Sequence, residues 1–108
     1  MTPQDHDAQV ARISHLPHLI ATTLVLAAGS KSLPLAGSGY RDTTRIASGP
    51  ASLWSEILIG NQSELLASLK NFRTTLDQLT SAVEKKDAST LSKLLDQAAH
   101  IRRALPSP

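Results

Sequence analysis

Apolar residues in the first quarter of the chain recur at three- and four-residue steps, the period of an amphipathic helix. Pro3 in the first turn and Gly29 as a stop predict a helix from about residue 3 to about residue 28. Pro17 lies inside this helix, where proline removes one amide donor and clashes with the carbonyl four residues earlier. The sequence therefore predicts a kinked N-terminal helix with irregular backbone near Ser14.

A loop is predicted from Gly29 to Gly39, because this stretch contains Pro34 and three glycines and shows no apolar period. A short helix is predicted after this glycine loop, over about residues 43–48, with Asp42 or Thr43 as its N-cap. Glycine and proline then end the short helix.

A long apolar seam follows from Pro50 to about Lys85 and predicts one long central helix. The seam consists of Trp54, Leu58, Leu65, Leu69, Phe72, Leu76, Leu79 and Val83. Its last six members alternate steps of four and three residues, as in a coiled coil. A helix of about 35 residues is about 50 Å long, whereas a compact chain of this size has a radius of gyration of about 13 Å. We therefore expect a second copy of the chain to cover part of this helix.

A C-terminal helix is predicted between caps at Asp87, Ser89 or Thr90 and a stop at Pro106. Its inward-facing positions would be Leu91, Leu94 or Leu95, Ala98, Ile101 and Leu105. No segment alternates with period two for long enough to predict a strand. The predicted fold class is therefore all-α.

Composition narrows the class of protein further. A chain of 108 residues has room for a single domain, and an aromatic content of 3% leaves burial to aliphatic side chains, which favours helices over a β-sandwich. Eleven basic and nine acidic residues give a net charge of +2, which does not indicate a nucleic-acid partner. The absence of cysteine excludes disulfides, thiolate catalysis and zinc sites that use sulfur.

The most apolar stretch, Leu16 to Ala28, is shorter than the ~20 residues that cross a bilayer. The N-terminus carries acids where a secretory signal would carry Lys or Arg. We therefore predict a cytoplasmic chain with no membrane partner.

Two histidines, a serine and a proline converge in the segment from Ser14 to His18. Ser14 and His18 are four residues apart and share a helix face. A hydrolase triad is disfavoured because the segment has no nucleophile elbow. A metal site is disfavoured because no pattern places carboxylates opposite the pair His15 and His18. An ordinary core or surface role for at least one of the histidines stays open.

A second constellation runs from Gly37 to Arg45. The glycine turn offers free amides to an anion, and Arg41 and Arg45 are one helical turn apart, so the segment could bind a carboxylate. In the alternative, Asp42 caps the helix and pairs with Arg45 in an exposed contact of ~0.3–0.5 kcal/mol. The segment is neither a P-loop nor a dinucleotide fingerprint. Trp54 is either a core or interface anchor or a surface for ligand stacking.

Together these motifs resemble the C-terminal domain of prephenate and arogenate dehydrogenases. The motifs are His6-Asp7, Ser14-His-Leu-Pro-His18, the glycine loop, Tyr40-Arg-Asp-Thr-Thr-Arg45-Ile-Ala, Pro50, Trp54 and Asn61. The resemblance implies that residues 1–108 are a single C-terminal helical domain that forms an intertwined homodimer through the long helix. In that family the domain normally follows an NAD(P)-binding Rossmann domain, which this chain lacks and which would complete the enzyme in cis or in trans.

Enzymes of this family oxidatively decarboxylate prephenate to 4-hydroxyphenylpyruvate, or arogenate to tyrosine. Hydride passes to NAD or NADP, and the ring carboxylate leaves as carbon dioxide. The family's general base lies on the nucleotide-binding domain, so the resemblance implies no catalytic residue here. We therefore expect the chain to be inactive in isolation.

The resemblance also implies roles for particular side chains. Arg45 would hold a substrate carboxylate, His18 would hydrogen-bond the substrate side chain, Ser14 would lie near its reacting end, and His6 would lie at the cleft edge. Residues of the glycine loop, together with the tryptophan, would shape the pocket partly across the dimer interface. These are Ser38, Gly39, Tyr40, Arg41, Asp42 and Trp54.

Two other classes of function stay open from sequence. The chain could be a free-standing helical module that senses a ligand or binds a protein, with the same fold and no catalysis. It could also be a helical metal protein, whose stability would depend on the metal.

Overall fold

The computed structural model describes every residue from Met1 to Pro108 and contains helices and no strand, which confirms the all-α prediction. The α-helices are α1 (Pro3–Val10), α2 (Leu16–Ala28), α3 (Ser38–Thr44), α4 (Ala51–Gly60), α5 (Gln62–Glu84) and α6 (Ala88–Arg103). A π-helical turn, Ala11–His15, connects α1 to α2, and 3-10 turns occupy Ser30–Leu35 and Arg45–Ser48.

The N-terminal helix begins with a capping box. The Thr2 hydroxyl accepts a hydrogen bond from the Asp5 amide at 3.0 Å, and the Asp5 carboxylate accepts one from the Thr2 amide at 3.4 Å. Two of the amides that a helix start leaves unpaired are thereby satisfied.

The irregularity predicted inside this helix is confirmed and is a π-helical turn. The Leu16 amide donates to the Ala11 carbonyl, five residues earlier instead of four. Pro17 follows directly and has no amide to continue the series, so an ordinary α-helical register resumes only beyond it. The turn brings His15 to the junction of α1 and α2.

The short helix begins earlier than predicted. Gly37 precedes α3 in an extended conformation, and the Arg41 amide closes the first turn on the Gly37 carbonyl at 3.1 Å. Asp42 and Thr43 therefore lie inside α3, and the prediction that either caps a helix over residues 43–48 was wrong. No side chain caps this end, so the backbone alone closes the first turn of α3.

The long central helix is broken, so the prediction of one helix from Pro50 to Lys85 was wrong. Asn61 has φ −121° and ψ 38°, which ends α4, and α5 begins at the next residue. Gly60 weakens the helix just before the break. The apolar seam has no member between Leu58 and Leu65, which coincides with this interruption.

The chain divides into two compact units, residues 1–69 and residues 70–108. The buried apolar residues of the first unit are Ala11, Ala21 and Leu65, and that of the second is Ala82. No large side chain is completely buried. Both units instead expose large apolar side chains, among them Ile13, Leu26, Leu35, Ile59, Leu66, Val83, Leu95 and Ile101.

The helical run Pro3–Ala28 is long and apolar enough, by length and composition, to cross a membrane. It exceeds the apolar stretch seen in the sequence because α1 and the π-helical turn extend it to 26 residues. A core helix passes the same test, so the finding is weak evidence for a membrane span. The run buries His15 and His18, as a helix packed against protein would do.

The predicted cap of the C-terminal helix is confirmed. The Asp87 carboxylate accepts hydrogen bonds from the Thr90 amide at 3.1 Å and the Thr90 hydroxyl at 2.6 Å. These bonds lower the pKa of Asp87 below its ordinary value of 3.8. Along α6, Leu91 and Leu94 are half-buried. The half-buried Leu94 agrees with the prediction that either Leu94 or Leu95 faces inward, but the chain alone exposes Ala98, Ile101 and Leu105, for which the prediction was wrong.

We expect Asp87→Ala to lower the melting temperature at neutral pH, because α6 loses its cap. The pKa of Asp87 is lowered in the folded state. The ionised carboxylate therefore contributes its full stabilisation above pH 3.8, and this stabilisation is lost as the pH falls through the lowered pKa. The difference between wild type and Asp87→Ala should therefore shrink in acid. Thermal denaturation, monitored by circular dichroism at neutral and acidic pH, measures this difference in melting temperature. Asp87→Asn is the control, since asparagine caps without titrating, and an Asp87→Ala deficit that is equal at both pH values would contradict the prediction.

Candidate functional site

Two histidines of the N-terminal helical run pack against Trp54, the single tryptophan of the chain. The His18 and Trp54 rings are stacked, with centroids 3.8 Å apart and planes inclined by 12°. The His15 ring meets Trp54 edge to face, with centroids 6.5 Å apart and planes at 83°. His15 ends the π-helical turn, His18 lies in the first turn of α2, and Trp54 lies in the first turn of α4. We call these three side chains the His–Trp cluster.

Gly49 makes the stacked contact possible. A Cβ atom at this position would lie 2.8 Å from Trp54 Nε1, 3.0 Å from Trp54 Cδ1 and 3.4 Å from His18 Cε1. The first two distances are too short for a carbon atom, so any side chain here would displace the indole. Sequence reasoning treated Gly49 only as a helix breaker and missed this role.

Asn61 connects the break between α4 and α5 to the first helical run. Its side-chain Nδ2 donates to the Asp7 carbonyl at 2.9 Å and lies 3.4 Å from His15 Nδ1. Asp7 is 54 positions away from Asn61 in the sequence, and His15 is 46 positions away. Sequence reasoning used Asn61 only as part of a family motif and assigned it no contact. The glycine before it, inside an otherwise helical seam, was the available signal.

Two buried polar atoms, His18 Nδ1 and Tyr40 Oη, have no hydrogen-bond partner within the chain. Buried polar side-chain atoms in proteins are nearly always hydrogen-bonded. His18 is 5% exposed, and Tyr40 is half-buried. Both residues belong to the set that the sequence analysis assigned to the site, so the chain's own contacts do not use all of the polar groups of the site.

Arg41 and Arg45 border a separate open cleft of about 550 Å³. It is bounded by Leu33, Ala36, Tyr40, Arg41, Asp42, Thr44, Arg45 and Ser48. The alternative pairing of Asp42 with Arg45 is not formed, since the only close contact between a basic and an acidic side chain joins His6 Nδ1 to Asp7 Oδ1 at 3.6 Å. Both guanidinium groups are exposed and able to bind an anion from solution. We call this feature the arginine cleft.

The structure therefore divides the predicted site residues between two places. His18 and Trp54 belong to the His–Trp cluster, while Tyr40, Arg41, Asp42 and Arg45 border the arginine cleft. The 3-10 turn Arg45–Ser48 lies between the two and packs against α2.

Four predicted residues lie outside both groups. Ser14 is half-buried on the π-helical turn, and His6 is exposed on α1. Ser38 and Gly39 are exposed in the first turn of α3 and do not border the arginine cleft. No group of three or more His, Asp or Glu side chains is placed to hold a metal ion.

The profile of the family described as "Prephenate dehydrogenase, dimerization domain" matches residues 2–97. The prephenate dehydrogenase of Bacillus subtilis (strain 168) is 36% identical over 112 residues, which cover 98% of this chain and 30% of that protein.

Solved structures give the same result. The crystal structure of Synechocystis arogenate dehydrogenase superposes with a TM-score of 0.90 at 39% identity and covers 95% of this chain and 40% of that chain. Prephenate dehydrogenase from A. aeolicus, solved with hydroxyphenyl propionate and NAD+, gives a TM-score of 0.84 at 26% identity. The match covers 95% of this chain and 38% of that chain. This chain thus spans 30–40% of the length of these relatives.

We expect Gly49→Ala to separate the indole of Trp54 from His18. Overpacking a tight site costs about 1–3 kcal/mol of unfolding free energy. Because Trp54 is the only tryptophan, all indole fluorescence comes from this ring, and we expect emission at longer wavelength as the ring gains solvent.

Gly60→Ala is the matched control, because a Cβ there meets nothing within 4 Å. It should leave the emission unchanged and stabilise α4 by about 0.5–1 kcal/mol. Equal emission spectra for wild type and Gly49→Ala would show that the stack does not depend on Gly49.

Proposed function

Because this chain belongs to the prephenate dehydrogenase dimerization-domain family, we propose that it binds substrate and forms the dimer in a dehydrogenase that oxidatively decarboxylates prephenate or arogenate. The complete enzyme would act in tyrosine biosynthesis in the cytoplasm. The observation that supports the proposal best is that the guanidinium groups of Arg41 and Arg45 have no acidic partner in the chain. They border a cleft that is separated from the His–Trp cluster by the 3-10 turn Arg45–Ser48. Prephenate and arogenate combine carboxylate groups with an unsaturated ring, and these two features match such a site.

Arg45 would hold a substrate carboxylate. Its guanidinium presents a rigid fork of donors, which matches a carboxylate in two parallel hydrogen bonds. No carboxylate of the chain competes for it. Arg41, one helical turn earlier, adds positive charge on the same cleft.

The His–Trp cluster would border the rest of the substrate. His18 would hydrogen-bond the substrate side chain, with Ser14 near the reacting end and His6 at the edge of the cleft. The segment Ser38–Asp42, with Trp54, would shape the pocket partly across the dimer interface. The half-buried position of Ser14 on the π-helical turn, next to His15, supports its assignment.

A homodimer would cover apolar surface that the single chain exposes. Ile13 and Ile59 are each 75% exposed, Leu26 is 78% exposed, and Ile101 is 64% exposed. Surfaces with this many exposed aliphatic side chains mark protein interfaces. We propose that a second copy is the partner, as the family's description states for its own members.

NAD or NADP would serve as hydride acceptor in the complete enzyme. The residues of this chain do not fit a dinucleotide, since the chain has no strand and no Gly-x-Gly-x-x-Gly turn. A Rossmann domain, in cis or in trans, would bind the cofactor and supply the general base. The segments described here would orient the substrate and contribute the dimer contact.

Arg45→Ala in the complete enzyme should raise KM for prephenate or arogenate about 10- to 100-fold, because a hydrogen-bonded charge pair contributes about 1.5–3 kcal/mol. Arg45→Lys should restore the affinity only in part, since lysine keeps the charge and loses the fork. Steady-state kinetics measures both variants. Arg73→Ala, the same change at an exposed position on α5, is the control. If KM stays at the wild-type value in Arg45→Ala, the carboxylate role is excluded.

The purified chain should form dimers and show no NAD(P)-dependent turnover of prephenate. Light scattering measures the mass, and absorbance of the reduced nicotinamide measures turnover. Adding the separately produced Rossmann domain is the positive control. A monomer would contradict the proposed dimer, and turnover without the Rossmann domain would contradict the proposed division of labour.

A further inference from the structure

We propose that Asn61 is a positioning residue that holds His15 in the tautomer with its proton on Nε2, so that His15 can donate a hydrogen bond to a substrate oxygen. The tautomer follows from contacts within the chain, and only the substrate role rests on the function proposed above. Neither residue was among those assigned to the substrate from the sequence.

The orientation of the Asn61 carboxamide follows from its contact with Asp7. The atom that lies 2.9 Å from the Asp7 carbonyl oxygen must be a donor, because a carbonyl oxygen only accepts. The Asn61 oxygen in that place would bring two acceptors together. The Asp7 carbonyl therefore fixes the amide nitrogen on this side, and the usual ambiguity between the two ends of an asparagine side chain does not arise.

The same nitrogen then decides the protonation of the histidine ring. Asn61 Nδ2 carries two protons, of which one is used by the Asp7 carbonyl, and it lies 3.4 Å from His15 Nδ1. Since an amide NH2 group only donates, a hydrogen bond at this 3.4 Å contact requires His15 Nδ1 to be the acceptor and to carry no proton. A neutral imidazole has one proton, which must then be on Nε2.

The burial of His15 strengthens the preference for this tautomer. His15 is 9% exposed, so little water is available to replace a lost partner at Nδ1. Its ring also packs edge to face on Trp54, which limits rotation. Asn61 lies at the break between α4 and α5 and contacts both partners from there. The backbone irregularity and the histidine tautomer are thus parts of one arrangement.

The substrate group that this arrangement selects is an oxygen acceptor. A histidine fixed with a proton on Nε2 offers a neutral N–H donor beside the ring stack of His18 and Trp54. Carboxylate, carbonyl and hydroxyl oxygens of the substrate could each accept a hydrogen bond from this N–H group. A neutral donor complements Arg45, which would supply the charge.

The tautomer can be tested on the isotopically labelled chain without substrate. Two-bond proton–nitrogen correlation spectra distinguish a protonated from an unprotonated ring nitrogen in each histidine. We expect His15 to have an unprotonated Nδ1 and a protonated Nε2 in the wild type. Asn61→Leu, which has nearly the same size but no donor, should release Nδ1 and let the proton occupy it in part of the molecules. A wild-type His15 with its proton on Nδ1 would overturn the proposal, as would the same tautomer populations in wild type and a folded Asn61→Leu variant.

Kinetics of the complete enzyme test the substrate role. Asn61→Leu should raise KM about 2- to 10-fold with little change in kcat, the range of one hydrogen bond weakened in both ground and transition states. Asn71→Leu, the same change at an exposed position of α5, should leave KM unchanged. An unchanged KM in Asn61→Leu would refute the substrate role. Failure of the wild-type enzyme to oxidise prephenate or arogenate would instead refute the proposed function, and the spectra would still decide the tautomer.

Discussion

The stacked contact between His18 and Trp54 is the interaction on which the arrangement of the site depends. It exists because Gly49 leaves room for the indole, and it joins α2 to the first turn of α4. The 3-10 turn that begins at Arg45 ends directly before Gly49 and packs against α2. The same close approach that seats the tryptophan therefore also sets where the arginine cleft lies relative to the His–Trp cluster.

Local chemistry explains the parts of the fold that sequence could predict. Pro17 removes an amide whatever surrounds it, so an irregular helix was predictable. Asp87 caps α6 through a contact three residues away, which sequence spacing also reveals. The form of the irregularity was less accessible. A π-helical turn and a simple kink can both accommodate the missing amide of Pro17, so the sequence does not decide between them. The contact of Asn61 with the last turn of α1 was also hidden, because it comes from a distant part of the chain.

Side chains that act over long separations explain what sequence could not predict. The apolar seam continues with helical period on both sides of Asn61, so periodicity alone favours one helix. The break becomes intelligible only when the Asn61 side chain is seen to contact Asp7 and His15. For the same reason, the family resemblance predicts one site for Arg45 and His18, but the sequence could not show that His18 stacks on Trp54 while Arg45 borders a separate cleft.

Exposed aliphatic surface and buried histidines on one helical run carry opposite implications. Exposed apolar side chains on Pro3–Ala28 would suit either lipid or another protein. His15 Nδ1, however, has its polar contact with Asn61 inside the chain, and Arg12 lies exposed on the same run. A lipid environment would penalise that exposed charge, whereas a protein interface tolerates arginine well. A protein interface, such as the one proposed above between two copies of the chain, therefore fits both the apolar and the polar residues of this helix.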